Sequence, residues 1–230
     1  MKLEDLNYEI NEDLIATKPK NPRDESNLLI FSKKPNIIKF KEIINILKPD
    51  DLLVINNTKV LNSLMEGLIE KNKVSINLNK VLNKKGNEWS AFIKSNKKIK
   101  IQQIIKFSSG INCKVLDILY DNNFLSYIIS FNKTYKELIT ILSKKGNIPI
   151  PPYIKKKRKI EKSDYTNYQT IFAKKIGAVA SPTASLHFTK QLINNLKKMK
   201  VNFASLTLHV NGGTFLPIRN NNPYKHSMHF

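Results

Sequence analysis

Between about Leu61 and Ser130 the chain changes its rhythm. Short β-rich runs follow one another there: Val74 to Leu78, Trp89 to Ile93, Ile99 to Phe107, Lys114 to Leu119 and Phe124 to Phe131. Turn signals separate them at Lys85-Gly86-Asn87, Ser109-Gly110 and Asp121-Asn122-Asn123. Strands spaced this closely are expected to close on one another as a small β-barrel.

The flanks read differently. Leu28 to Phe31 is a short apolar strand, Phe40 to Leu47 is helical, and Pro49 to Ile55 is a second strand running into Asn56-Asn57-Thr58. After the barrel, Thr134 and Glu137 form a capping box for a helix through Leu142, which Gly146 is placed to end. The rigid stretch Ile148 to Tyr153 then carries the chain away. Thr189 can cap a helix whose apolar positions Leu192, Ile193, Leu196 and Met199 share a face, and Val201 to Val210 reads as a buried strand. The expected fold class is α/β, a mixed sheet flanked by helices with an inserted small β-barrel. Its α/β domain takes residues 1–60 and 148–230, and the barrel takes 61–147. Ligands of such sheets bind beyond the carboxyl ends of the strands, where Asn56 and Thr58 sit.

With 230 residues and 41% hydrophobic content the chain can bury a substantial core. Its 39 Lys plus Arg against 18 Asp plus Glu give a formal charge of +21, which attracts polyanions, nucleic acid first. The same richness in Lys, Asn and Ile is what A- and T-rich codons produce, so runs such as Lys155-Lys156-Lys157-Arg158 read equally as solvated faces. Cys113 is the sole cysteine, which leaves no intramolecular disulfide and suits a reducing compartment. The polar N-terminus and the lack of any apolar run near 20 residues point to a cytoplasmic protein that does not enter a membrane. GxGxxG, P-loop and GxSxG motifs are absent, which sets aside dinucleotide oxidoreductases, P-loop NTPases and α/β-hydrolases.

Chemistry is expected in the last quarter, where all four histidines fall. Gly177 to Thr189 combines small residues, the hydroxyls of Ser181, Thr183 and Ser185, and His187 just ahead of a helix N-terminus, a setting suited to an anion. His209 ends a predicted strand before Asn211-Gly212-Gly213, a tight turn whose amides can face a ligand, with Thr214 beyond. Either histidine read alone also fits a structural role. Arg23 and Asp24 can orient a polar substrate or form a surface ion pair. Tyr165, Tyr168 and Gln169 follow a cationic stretch and can stack a base or pack in the core. His226 and His229 share a helical face at i, i+3, yet no neighbouring ligand completes a metal site, so no metal is expected.

Several of these segments together resemble one family, the S-adenosylmethionine:tRNA ribosyltransferase-isomerases of queuosine biosynthesis. The resemblance rests on Pro22-Arg23-Asp24, Asn56 to Val60, Ile148 to Ile154, Tyr168-Gln169-Thr170, Gly177 to Thr189 and Thr207 to Pro217, in order from Met1 to His229. It implies transfer and isomerisation of the ribosyl part of S-adenosylmethionine onto 7-aminomethyl-7-deazaguanine in tRNA, giving epoxyqueuosine with release of adenine and methionine. S-adenosylmethionine is then a consumed substrate rather than a cofactor, the partners are tRNA and S-adenosylmethionine, and a monomer is expected. Within that resemblance His187 and His209 are the proton-transfer candidates. Arg23, Asp24, Asn56, Thr58, Tyr168, Gln169, Ser181, Thr183, Gly212, Gly213 and Thr214 are the substrate-binding candidates.

The chain departs from the family pattern in places. Asn27 and Leu64 stand at usual arginine positions, Asn57 at the aspartate of N-D-T-x-V, and Ser185 at the glycine of T-A-G-L-H-F. The family's G-T-T-S-x-R and T-N-F-H-L-P words lie beyond the H-x-M-H segment, so a C-terminally truncated member with exposed sheet edges is expected. The alternative reading is a catalytically inactive remnant with at most weak RNA binding.

Overall fold

The structure, a computed structural model, describes all residues except Met1, Ser109, Asn122, Asn123, Arg219, Asn220 and 226–230. The His226 and His229 pair therefore lies outside the described residues. In chain order the first elements are strands β1 (Asn27–Ile30), β2 (Asn36–Lys39), β3 (Leu52–Asn56) and β4 (Thr58–Val60). Next come β5 (Leu64–Ile69), β6 (Asn72–Val81), β7 (Glu88–Ser95), β8 (Ile104–Lys106), β9 (Asn112–Asp121), β10 (Phe124–Phe131) and helix α1 (Tyr135–Lys145). Helices α2 (Pro152–Lys157) and α3 (Asp164–Asn167), β11 (Lys175–Ala178), α4 (Lys190–Lys198) and β12 (Asn202–Leu206) complete the order.

Two compact units result. One holds 1–10, 61–152 and 211–230, and the other holds 11–60 and 153–210. The first contains a closed six-stranded barrel in the order β10-β7-β6-β5-β8-β9, all antiparallel. Alternation explains it: β5 buries every second residue, and Ile76, Leu78, Ile105 and Ile129 are wholly enclosed. Helix α1 closes the core with Leu138 and Leu142. Its capping box is formed as expected, with Thr134 accepting from the Glu137 amide and the Glu137 carboxylate accepting from the Thr134 amide.

Gly146 does end that helix, though in extended rather than left-handed backbone. Its role is a close approach: a Cβ there would stand 2.1 Å from the Asn62 carbonyl oxygen. Strand β8 is shorter than the expected Ile99 to Phe107. Residue Gln102 turns with φ +71°, and the Gln103 side chain accepts from the Lys100 amide, so extended pairing begins only at Ile104.

The second unit bears out the mixed α/β class with a hairpin and two parallel pairs. Strand β1 pairs with β2 antiparallel, β11 with β4 parallel, and β12 with β3 parallel. Helix α4 starts where Thr189 accepts from the Leu192 amide, and it buries Leu192 and Leu196 against Phe40, Phe172, Phe188 and Val201. Leu53, Ile55 and Phe203 pack on that cluster, whereas Leu52, Val54 and Leu206 face outward. The expected strand Val201 to Val210 stops at Leu206, because β3 ends at its partner Asn56 and no backbone ladder remains to extend it. His209 therefore sits in the connection after the strand.

Candidate functional site

Most of the candidate residues belong to the second unit, and hydrogen bonds join them in three groups. The first is built on the carboxyl end of β3. Asn56 Nδ2 donates to the Leu208 carbonyl at 2.8 Å, and its Oδ1 accepts from the amides of Leu208 and Thr58, both at 3.1 Å. A side-chain amide thus carries on the pairing that the β3–β12 ladder leaves off. Thr58 is buried, and its Oγ1 lies 2.8 Å from His209 Nδ1. The Asn57 carboxamide oxygen accepts from Thr207 Oγ1 at 2.7 Å, so asparagine fills that position with a neutral acceptor.

The His209 ring rests on Gly177. A Cβ at Gly177 would stand 2.5 to 2.7 Å from Cε1, Nε2 and Nδ1 of the imidazole, and such equal spacing means that the ring lies flat over the glycine. Any larger residue there would displace it. The Val210 carbonyl accepts from the Val179 and Ala180 amides, fixing the backbone just after the histidine. Among the described residues, His209 Nε2 has no hydrogen-bond partner.

Arg23 and Asp24 are not paired with each other. Arg23 donates to the Gln169 and Thr166 carbonyls, each at 2.8 Å, and so satisfies the carboxyl end of α3. Asp24 accepts from Thr189 Oγ1 at 2.6 Å, the hydroxyl that caps α4. Burial pulls the Arg23 guanidinium below its ordinary value. Gln169 spends both ends of its amide on the Val60 backbone.

The third group gathers around α2 and α3. Arg158 belongs to the basic run, yet it pairs with Asp164 through two bonds of 2.7 Å and donates twice more to the Thr17 carbonyl. Its charge is internal, while Lys155 and Lys156 are exposed. The Arg158 hydrogen bond holds the Asp164 carboxyl below the usual carboxylate range, and Asp164 in turn raises Arg158. Tyr168 closes α3, and burial first and the Asp164 charge second push its phenol upward.

His187 is half-buried with its ring 5.2 Å from that of Phe40, inside the aromatic group that includes Phe188. Ser181 Oγ is buried and has no partner in the described protein, as is Thr170 Oγ1. Thr183 is exposed and opens a 3-10 turn, Thr183–Ser185. Gly212, Gly213 and Thr214 lie in the barrel-containing unit, in a 3-10 turn. The Gly212 amide donates to Asn79 Oδ1 at 2.6 Å and the Gly213 amide to Asn211 Oδ1 at 3.0 Å, so both are already engaged. Lys175, Leu208 and Val60, which hold the site residues through their backbones, carry no side-chain signal that sequence reasoning could have used.

The family model described as "Queuosine biosynthesis protein" matches residues 3–230. The chain belongs to this family. A curated family member from Sulfurihydrogenibium sp., named S-adenosylmethionine:tRNA ribosyltransferase-isomerase, is 39% identical over 232 residues, covering 100% of this chain and 67% of its own length. A relative of the same name from Aquifex aeolicus is 40% identical over 223 residues, covering 95% and 64%. The chain thus spans about two thirds of the length of the curated relatives it matches. A crystal structure of an S-adenosylmethionine tRNA ribosyltransferase from Thermotoga maritima is 26% identical, covers 88% of this chain and 57% of that one, and gives a TM-score of 0.34. Among the described residues, no helix is long and apolar enough to cross a membrane, and no group of His, Cys, Asp and Glu could hold a metal ion.

Proposed function

We propose that this chain carries out, or forms the larger part of, an S-adenosylmethionine:tRNA ribosyltransferase-isomerase. The ribosyl part of S-adenosylmethionine is transferred and isomerised onto 7-aminomethyl-7-deazaguanine in tRNA to give epoxyqueuosine, with adenine and methionine leaving. S-adenosylmethionine is consumed, and the exposed lysines meet tRNA phosphates.

The observation that carries the reading is the seat of His209. This chemistry needs a base to take a proton beside the sulfonium and a donor for departing adenine. His209 is anchored through Nδ1 and through its ring face, and Nε2 is the nitrogen left for a substrate. Asn56 and Thr58 act beneath it rather than on the substrate. The unpartnered Ser181 hydroxyl supports a polar ligand contact, because a buried hydroxyl without a partner costs about 1–3 kcal/mol. His187 remains the second proton-transfer candidate.

The test is adenine release from S-adenosylmethionine in the presence of tRNA carrying the aminomethyl-deazaguanine. His209→Ala should lower the rate by about a hundredfold or more. A folded chain that releases no adenine above background overturns the reading.

A further inference from the structure

We infer that Thr58 and Gly177 are positioning residues that make Nε2 the working nitrogen of His209 and let that nitrogen both take and give a proton. The inference rests on the reading of His209 given above and adds two residues and a device to it.

Thr58 Oγ1 has two neighbours, His209 Nδ1 at 2.8 Å and the Lys175 carbonyl at 3.5 Å. The first is a full hydrogen bond and the second stands at the limit. A carboxylate or a carbonyl under Nδ1 would accept only, and would lock the ring with its proton on Nδ1. A hydroxyl both donates and accepts. When Oγ1–H points at Nδ1, Nε2 carries the ring proton and is a donor. When Oγ1–H swings to the Lys175 carbonyl, Nδ1–H donates to Oγ1 and Nε2 presents its lone pair.

A proton arriving at Nε2 therefore leaves Nδ1–H bonded to Thr58, whose own hydrogen rests on Lys175. Loss of either ring proton returns a neutral ring that Thr58 can meet from the same place. Nothing moves except a hydroxyl rotor. The backbone on both sides is pinned, by Asn56 on Leu208 and by Val179 and Ala180 on Val210, and Gly177 admits the flat ring. That much fixing is out of proportion for a histidine in an exposed connection.

The test pairs Thr58→Val with Thr58→Ser, together with nitrogen-15 spectra of the His209 ring. In Thr58→Val the tautomer balance should change and kcat should fall about tenfold or more while KM stays within about twofold, and Thr58→Ser should restore both readouts. Thr58→Val placed on His209→Ala should slow the reaction no further. Gly177→Ala, which meets the ring directly, should shift the same nitrogen signals and serves if Thr58→Val does not fold. Ring signals and kcat unchanged in Thr58→Val overturn the inference. If the parent chain releases no adenine, the ribosyl-transfer reading falls by itself, and unchanged ring signals in Thr58→Val then overturn the positioning alone.

Discussion

Gln169 engages the Val60 backbone with both ends of its side-chain amide. Its Oε1 accepts from the Val60 amide at 2.9 Å, and its Nε2 donates to the Val60 carbonyl at 2.7 Å. A side-chain amide has the donor and acceptor of a peptide group, so it completes the pairing of the last residue of β4 as a neighbouring strand would. Arg23, bonded to the Gln169 and Thr166 carbonyls, holds the same turn through its backbone.

Gln169→Met keeps the length of the side chain and removes both bonds. It should destabilise the chain by about 1–3 kcal/mol, since it strands a Val60 amide and carbonyl that are part-buried. A urea midpoint equal to that of the parent would show that Val60 finds other partners.

Asp164 is enclosed, and its carboxyl titrates below its unfolded value because Arg158 bonds its charged form. Its contribution to stability is therefore fully present above the ordinary carboxylate range and is lost as pH falls through the lowered folded value. Asp164→Asn should cost on the order of 3 kcal/mol at neutral pH and flatten the acid limb of stability against pH. Parallel acid limbs for parent and variant would contradict this.

His187→Phe preserves an aromatic ring against Phe40 and removes the nitrogens. Adenine release should fall less than tenfold in this variant, against a hundredfold or more for His209→Ala. A larger loss in His187→Phe would move the proton transfer to His187.

Cys113 lies in the barrel core, and burial pushes its thiol up to about 12. An aromatic disulfide reagent should leave it untouched in the native chain at pH 8 and react with one equivalent in denaturant. Rapid native reaction would show that the barrel opens.

Local signals carried much of the architecture. The capping box at Thr134, the cap at Thr189 and the alternation along β6 and β7 depend on residues within a turn or a strand, so the sequence displays them directly. The pairings β3–β12 and β4–β11 join segments more than a hundred residues apart, and nothing in either partner names the other. The site divides in the same way. His209 and Gly177 stand out as unusual residues, but the ring lying on that glycine, with buried Thr58 at Nδ1, appears only once the chain has folded. Thr58 and Asn56 look like substrate ligands from their place after an apolar run. In the fold Asn56 bonds the Leu208 backbone and the Thr58 amide, and Thr58 bonds the His209 ring, because a threonine hydroxyl and an asparagine amide satisfy backbone and ring as readily as they satisfy a ligand.

The barrel and the parallel pairs will behave differently when the protein is concentrated. A cylinder whose first and last strands meet has no loose selvedge onto which a second molecule can stitch itself. The ribbon of β3 and β12 keeps open borders and shows water Leu52, Val54 and Leu206. Clumping during purification should start there, and lysines at positions 52 and 54 should suppress it.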